Sequence, residues 1–226
     1  MEVYDALSAL QCGKVDIPFL FVGMSGAGKS STTNILARDL SLQRKELDAV
    51  FANRVEKELR LKMADVAALG EFLGQPDTDY PTYRERELQL LKHERQVMVA
   101  AAEWDVPLLD LSGSALYHPE ALQELINGRI VICMDIPDDR LSQMFIKYQK
   151  NPKPVFFHGK YNPKLSLKRN YQTLLLYRRS IYREIANVSL SKWEYKREKG
   201  VEVKASEILM VMQRNIRDTL GEEMEE

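Results

Sequence analysis

A phosphate-binding signature at residues 23–30 constrains the fold of this chain more than any other feature. These residues read GMSGAGKS and fit the pattern GxxxxGK[ST] in full. An apolar run over residues 17–22 precedes them, and a segment with helical spacing follows. Glycines allow a tight turn whose N–H groups point inward, and these donors and the positive end of the next helix hold phosphate oxygens. The pattern therefore predicts a nucleotide-binding loop between a buried strand and a helix.

The side chains of this loop predict how the nucleotide is held. The Lys29 ammonium places a positive charge on the outer phosphates, and the Ser30 hydroxyl is a ligand for Mg²⁺. We therefore expect ATP and Mg²⁺ as cofactors. The residues expected to bind the nucleotide are Gly23, Ser25, Gly26, Ala27, Gly28, Lys29, Ser30 and Ser31.

Four short apolar runs punctuate the chain, at residues 17–22, 106–109, 129–134 and 186–190. Such runs are typical of strands buried on both faces of a parallel sheet. Helical spacing lies between and after them, at residues 30–40, 83–102, 119–126, 168–185 and 206–220. Alternating strands and helices predict an α/β fold with helices flanking a parallel sheet.

Asp110 is the acid that this pattern brings closest to the phosphates. It ends the second apolar run, which we expect to lie next to the first strand. A carboxylate at that strand end can hold Mg²⁺ directly or through water, and it can also simply cap the following turn. Asp135 ends the third run and is the rival acid. Because Pro137 and two further acids follow Asp135, capping of another helix is favoured there.

Two segments interrupt the alternation of strands and helices. Residues 70–82 contain two glycines, two prolines and three acids, and they predict a loop. Residues 147–164 contain three prolines, five lysines and four aromatic residues. Their length and composition predict either a solvated surface loop or a mobile basic lid over an anionic ligand.

Composition excludes several other classes of protein. The chain has 226 residues, and its 32 Lys+Arg against 33 Asp+Glu give a formal net charge of −1. This balance provides no overall field for nucleic acid or anionic lipid, and no stretch approaches the ~18 to 20 apolar residues of a membrane span. The N-terminal residues do not resemble a secretory signal. We therefore expect a single domain, residues 1–226, in the cytoplasm.

Four segments besides the phosphate loop resemble the shikimate kinase family. They are MADV at residues 63–66 with Gly-Glu at 70–71, YRERE at 83–87, DLSGSA at 110–115 and LLLYRRSIYR at 174–183. With the loop they span roughly residues 18–190. The resemblance implies the three-layer fold of P-loop kinases, with a substrate-binding region at about residues 48–95 and a mobile lid at about 147–164. It also implies phosphoryl transfer from ATP to a hydroxyl.

The resemblance also implies roles for single residues. The family's carboxylate-binding arginines fall on Arg84 and Arg178, its glycine-rich substrate turn falls on Gly113, and its lid arginine falls near Lys153. The family's Asp-x-Asp segment would begin at Asp48. The implied catalytic residues are Lys29, Asp48, Asp110 and Lys153, and the implied metal ligands are Ser30 and Asp110.

From the residues alone, these assignments have alternatives. Arg84 lies in a run of alternating charges that also suits a solvated helix face, and Arg178 has Arg179 and Arg183 beside it. Asp48 can act as a base on the acceptor hydroxyl, help to position Mg²⁺, or simply begin a helix. Val50 lies two residues after Asp48, at the position where the family has the second acid of its Asp-x-Asp segment.

All departures from the family pattern fall on the substrate side. The second acid is absent from residues 48–50, the glycine turn reads Ser-Gly-Ser at 112–114, and extra sequence lies around residues 72–82. We therefore expect an ATP-dependent kinase acting on shikimate or a similar hydroxy acid, as a monomer or weak homodimer. The alternatives are a kinase of another small metabolite, such as a nucleoside, nucleotide or sugar acid, and a nucleotide-binding regulator without turnover.

Overall fold

The computed structural model of the chain describes residues 2–60, 66–150, 154–195 and 202–225. Its core is a five-stranded parallel sheet with the strand order β2-β3-β1-β4-β5. The strands are β1 (Phe19–Gly23), β2 (Arg44–Glu46), β3 (Leu108–Asp110), β4 (Ile130–Asp135) and β5 (Val188–Ser191). The predicted α/β fold with a parallel sheet is confirmed.

Helices flank this sheet. The α-helices are α1 (Glu2–Gln11), α2 (Lys29–Leu40), α3 (Leu47–Leu59), α4 (Val66–Leu73), α5 (Tyr80–Ala101), α6 (Pro119–Ile126), α7 (Leu141–Lys150), α8 (Leu167–Glu184), α9 (Lys192–Tyr195) and α10 (Ala205–Glu225). Helices α2 and α10 pack against each other and against the sheet, whereas α8 packs against β1 and β4. None of the helices in the described residues is both long and apolar enough to cross a membrane.

Strand β1 lies at the centre of the sheet because the side chains on both of its faces are apolar. Every residue of β1 is buried, and Phe19 pairs in register with Leu108 of β3 and Ile130 of β4. A side chain on either face of β1 is therefore covered by a helix layer, as the continuous apolar run predicts. This arrangement places Asp110 on the strand beside the phosphate loop.

Two elements differ from the sequence prediction. Strand β2 carries the sequence Arg-Lys-Glu and forms the sheet edge, so it has no apolar run by which to be recognised. The expected loop over residues 70–82 is helical at both ends, because α4 continues to Leu73 and α5 begins at Tyr80. The Asp79 side chain caps α5 by accepting the Thr82 N–H, and Pro81 fits the first turn of that helix.

Gly23 joins β1 to the phosphate loop at a point that admits no side chain. Its φ is 131°, and a Cβ built there would lie 2.5 Å from the Met134 carbonyl oxygen of β4. We expect Gly23→Ala to lower the free energy of unfolding by about 1–3 kcal/mol, the range for overpacking. Chemical denaturation measures this loss. Gly128→Ala is the matched control, since its φ is also positive but nothing lies within 4 Å of its built Cβ.

Candidate active site

The carboxyl ends of the parallel strands bring the candidate residues to one edge of the sheet. The phosphate loop follows β1, and the register aligns Asp110 of β3 with Phe21 on one side and Glu46 of β2 on the other. Ligands of open parallel sheets bind outside this edge. The site is therefore built from the loop, two strand-end acids and the helices that cover them.

The loop is folded around the Lys29 ammonium. Lys29 is 6% exposed, and its Nζ donates to the carbonyl oxygens of Gly23 at 3.0 Å and Met24 at 3.3 Å. Gly26 and Gly28 have φ values of 81° and 115°, which side-chain-bearing residues rarely adopt. Helix α2 starts at Lys29, so its unpaired N–H groups and positive dipole end face the loop.

Two residues outside the loop hold its shape. A Cβ on Gly113 would lie 2.7 Å from the Ser25 backbone nitrogen, so the turn after β3 packs directly on the loop. Lys192, the residue directly after β5, donates from Nζ to the Gly26 carbonyl at 2.7 Å, and its stem crosses Gly28. Sequence reasoning missed Lys192, whose signal is its position at a strand end.

Ser30, Glu46 and Asp110 form the candidate magnesium site. The Ser30 Oγ donates to Glu46 Oε1 at 3.0 Å, and Arg44 Nη2 contacts Glu46 Oε2 at 2.7 Å. Asp110 is 2% exposed, and within the described residues its Oδ2 has no hydrogen-bond partner. Burial raises the pKa of the Asp110 carboxyl, and the nearby Lys29 ammonium opposes this shift.

This donor set fits Mg²⁺ bound together with a nucleotide. No group of three His, Cys, Asp or Glu side chains suited to a metal occurs among the described residues. Mg²⁺, however, commonly takes one or two carboxylates and completes its shell with water and substrate phosphates. The Ser30 hydroxyl and the carboxylates of Glu46 and Asp110 match this coordination preference, and one buried oxygen of Asp110 has no hydrogen-bond partner among the described residues.

The acids at the end of β2 and the start of α3 lie close to the phosphate loop. Glu46 ends β2 beside Ser30, and Asp48, two residues later, lines the cavity next to the phosphate loop. Val50 instead lines a separate surface cavity with Asn53 and residues of α3. Val50 therefore lies outside the cavity next to the phosphate loop, whereas Glu46 contacts Ser30 and Asp48 lines that cavity. Sequence reasoning missed Glu46 because a charged three-residue edge strand gave no sign of ending there.

A small cavity adjoins the tip of the phosphate loop. Its volume is about 20 Å³, and its lining residues are Ser25, Asp48, Phe51, Glu94, Gly113, Ser114, Pro154, Phe156 and Arg178. We call it the acceptor cavity. Two of the predicted substrate residues, Gly113 and Arg178, and the predicted catalytic Asp48 thus meet at one place. A space of this size accommodates about one water molecule.

Arg178 reaches this cavity from α8 as a buried guanidinium. Its Nη2 donates to the Phe156 carbonyl at 2.7 Å, and its Nε contacts the Tyr117 hydroxyl at 3.4 Å. Burial works to lower its pKa, but the Tyr117 and Tyr182 hydroxyls outweigh burial and raise the pKa above its ordinary value. The neighbouring arginines face elsewhere, because Arg179 and Arg183 pair with Asp135 at the end of β4.

Arg84 has a different environment from Arg178. Its guanidinium forms an ion pair with the buried Glu87 carboxylate, one turn along α5. Glu87 also accepts the His158 backbone N–H at 2.7 Å, and its Oε1 lies 3.1 Å from the Tyr83 hydroxyl oxygen. Arg84 therefore faces the segment that follows Pro154, and it reaches that segment through Glu87.

The described part of the expected lid lies closed over the acceptor cavity. Val155, Phe156 and Phe157 are buried, and the Tyr83 hydroxyl donates to Val155 O and accepts the Phe157 N–H. The first part of the expected lid, residues 147–150, belongs to helix α7. Lys153 lies outside the described residues. The segment 154–158 thus packs as a plug, with Phe156 lining the cavity that Arg178 and Asp48 share.

A larger cavity lies on the other side of Val155. It has a volume of about 320 Å³ and is lined by Ser25, Gly26, Met144, Lys147, Tyr148, Lys150, Val155 and Tyr171. The rings of Tyr148 and Tyr171 stack with centroids 4.9 Å apart. Both cavities meet the phosphate loop at Ser25, but the acids and Arg178 line only the smaller one.

Comparisons by sequence find nothing: no protein-family model matches the chain, and no curated protein sequence does either. Among solved structures, shikimate kinases from Acinetobacter baumannii, Aquifex aeolicus and Bacteroides thetaiotaomicron superpose with TM-scores of 0.53, 0.52 and 0.53. They are 18%, 17% and 14% identical and cover 94%, 90% and 91% of this chain and 98% of each of their own chains. The chain has the shikimate kinase fold.

The shikimate kinase fold confirms the resemblance seen in the sequence. The Acinetobacter protein was solved in complex with shikimate. At identities below one in five, the likeness concerns the path of the backbone, and the side chains of this chain must carry the argument about its chemistry.

The burial of Asp110 predicts a stability effect of known sign. The pKa of Asp110 in the folded state lies above its unfolded value of 3.8. The charged carboxylate therefore lowers the stability of the fold at every pH above the folded-state pKa. We expect Asp110→Asn, without Mg²⁺ at pH 7, to raise the free energy of unfolding, because the neutral amide avoids a charge-burial cost that outweighs the attraction of Lys29. Urea denaturation measures this change.

The exposed Asp138 provides the control of opposite sign. Its pKa is lowered, first by a hydrogen bond from Arg179, so Asp138→Asn is expected to reduce stability at pH 7. Adding Mg²⁺ and ATP should stabilise the wild type and not Asp110→Asn. Destabilisation by Asp110→Asn in metal-free buffer would contradict this account and reassign Asp110 to turn capping.

Proposed function

We propose that this chain is an ATP-dependent kinase that transfers the γ-phosphoryl group to a hydroxyl of a small molecule, best a hydroxy acid such as shikimate. One observation carries the proposal: Ser25 of the phosphate loop lines the same cavity as Asp48 and Arg178. A phosphate-binding loop and a set of groups suited to a hydroxy acid thus meet at one point. The shared fold with shikimate kinases supports the same reaction class.

In this proposal the phosphate loop binds and orients ATP. The Lys29 ammonium exchanges its contacts with Gly23 O and Met24 O for phosphate oxygens, and the N–H groups at the start of α2 hold the same oxygens. Ser30, Glu46 and Asp110 hold Mg²⁺, which when bound neutralises charge on the phosphates. Positioning and neutralisation supply most of the rate enhancement in phosphoryl transfer.

Asp48 and Arg178 are the proposed acceptor-binding groups. The Asp48 carboxylate accepts a hydrogen bond from the acceptor hydroxyl and can take its proton as the phosphoryl group leaves ATP. The Arg178 guanidinium is a planar fork that suits the paired oxygens of a carboxylate. Arg84 is proposed to support the carboxylate from the α5 side, and Lys153 to reach the transferring phosphoryl group.

Entry of an acceptor requires the plug at residues 154–158 to move. The Phe156 carbonyl occupies the donor that Arg178 would offer to a carboxylate, and the cavity of about 20 Å³ is far below the volume of roughly 300 Å³ of a small-molecule site. Substrate binding is therefore coupled to lid opening. Reclosure over the acceptor excludes water from the phosphoryl group, which limits ATP hydrolysis.

A different small acceptor is the second candidate. The buried Glu94 carboxylate and Ser114 both line the cavity, and Ser114 stands where the resembled family has a glycine. This favours an acceptor with additional hydroxyl groups at that wall. In either case we propose that the chain binds a small molecule and binds neither nucleic acid nor a membrane. We also propose that it is a monomer or weak homodimer in the cytoplasm.

A coupled ADP-release assay tests the proposed function. The assay uses Mg²⁺, ATP and a panel of shikimate, other hydroxy acids, sugars and nucleosides. We expect turnover with at least one acceptor, and Lys29→Met to lower kcat by at least ~10- to 100-fold, since a charge-assisted hydrogen bond of about 1.5–3 kcal/mol is lost. Lys45→Met is the control, because Lys45 lies on Trp104 away from the loop. ATP binding without turnover of any acceptor would favour a regulator.

Arg178 provides the test of acceptor binding. Arg178→Lys keeps the charge and loses the planar fork, so we expect the acceptor KM to rise about tenfold while the ATP KM stays unchanged. Arg183→Lys is the matched control on the same helix, because Arg183 pairs with Asp135 outside the cavity. Equal acceptor KM values in both variants would show that the acceptor binds elsewhere.

A further inference from the structure

Glu94 is a fully buried carboxylate at the wall of the acceptor cavity. It lies on α5 and is 0% exposed. Its Oε1 accepts hydrogen bonds from the hydroxyls of both Ser112 and Ser114, and its Oε2 lies 2.9 Å from His118 Nε2. The two serines flank Gly113, which packs on the phosphate loop at Ser25. One side chain therefore holds the whole turn between β3 and α6.

This network fixes the direction of every polar hydrogen at the turn. A carboxylate only accepts hydrogen bonds, so both serine hydroxyls and the His118 Nε2–H must donate to Glu94. A hydroxyl has one hydrogen and two lone pairs, and the hydrogens of Ser112 and Ser114 are both used. Ser114, a residue of the cavity lining, is therefore left with lone pairs only on its hydroxyl oxygen.

The wall of the cavity next to this turn therefore carries hydrogen-bond acceptors. Asp48, Glu94 and Ser114 all line it, and their side-chain oxygens offer lone pairs to a ligand. The guanidinium donor of the cavity, Arg178, comes from α8. The Glu94 charge makes hydrogen bonds to Ser114 stronger, since a hydroxyl that donates to an anion is a better acceptor.

We propose that Glu94 is a positioning residue that sets the acceptor class: it turns Ser114 into an obligate hydrogen-bond acceptor, so that the ligand is recognised at this wall through its own hydroxyl hydrogens. The inference rests on the proposed function and narrows it. The acceptor is a polyol with one hydroxyl that receives the phosphoryl group and a second, non-reacting hydroxyl at Ser114. Any carboxylate of the acceptor binds Arg178.

A purely structural role explains the Glu94 network less well than a role in acceptor recognition does. A buried carboxylate costs several kcal/mol in desolvation, and apolar residues of similar volume commonly replace buried ionic networks without loss of stability. Here the charge lies between the acceptor cavity and the turn that packs on the phosphate loop. Such a site discriminates strongly against a ligand that lacks the expected hydroxyl, because the buried acceptors are then left unpaired.

Paired acceptors that differ by one hydroxyl test this inference. The probes are shikimate with its analogues lacking one non-reacting hydroxyl, and ribose with 2-deoxyribose. The measured quantity is the ratio of kcat/KM within each pair. For wild type we expect a ratio of at least about 100 in favour of the hydroxylated member of one pair, because its analogue leaves buried hydrogen-bond acceptors unpaired.

Two serine variants separate recognition from structure. Ser114→Ala is expected to lower the ratio about tenfold or more, by reducing turnover of the hydroxylated member only. Ser112→Ala removes an equal hydrogen bond to Glu94 but lies outside the cavity lining, so the ratio should stay at its wild-type value. Glu94→Ala removes the carboxylate that orients the Ser114 hydroxyl and should lose the ratio.

The outcomes distinguish this inference from the proposed function. Turnover in wild type with equal loss for both members of a pair in Ser114→Ala overturns the inference and leaves the kinase proposal intact. The same result follows if Ser112→Ala lowers the ratio as much as Ser114→Ala does. If none of the acceptors in the panel stimulates ADP release by the wild type, the proposed function fails and this inference fails with it.

Discussion

A buried positive charge organises the functional edge of this molecule. Lys29 is almost completely enclosed, and an isolated charge in a protein interior is costly. The carbonyls of Gly23 and Met24 and the nearby Asp110 carboxylate compensate it. The loop curls around the ammonium, and the strand that carries Asp110 lies directly beside β1. Phosphate oxygens can take over the contacts to Lys29 and to the first N–H groups of α2 together, so the same charge that shapes the loop prepares it for a nucleotide.

The turn after β3 links this loop to the acceptor cavity. Gly113 leaves no space for a side chain against Ser25, and the serines on either side of it are held by Glu94. The turn at residues 112–114 therefore contacts both the phosphate loop and the lining of the acceptor cavity. The plug at residues 154–158 closes the same cavity from the α8 side through the bond between Arg178 and the Phe156 carbonyl. Opening and closing of this plug thus acts on the groups that would recognise the acceptor.

Sequence reasoning succeeded where the signal was local. The loop at residues 23–30, the buried strands and the neighbour relation of β1 and β3 follow from apolar runs and one motif, because a strand buried on both faces must be continuous and apolar. It failed at β2, a charged edge strand, and therefore missed Glu46, which ends that strand two residues before Asp48. The Glu94 network escaped it as well, since Glu94 and Ser114 are 20 residues apart and meet only in the fold.

The central claim is that ATP and Mg²⁺ bind where Lys29, Ser30 and the two strand-end acids meet. Crystals grown with Mn²⁺ in place of Mg²⁺ and a non-hydrolysable ATP analogue test it most directly, because Mn²⁺ is located by its anomalous scattering. The account predicts one peak at bonding distance from Ser30 Oγ, about 2.0–2.3 Å, with Glu46 and Asp110 bound to the ion directly or through water. The triphosphate should lie in the loop around Lys29. A peak at another part of the surface, or a nucleotide bound away from the loop, would contradict the account.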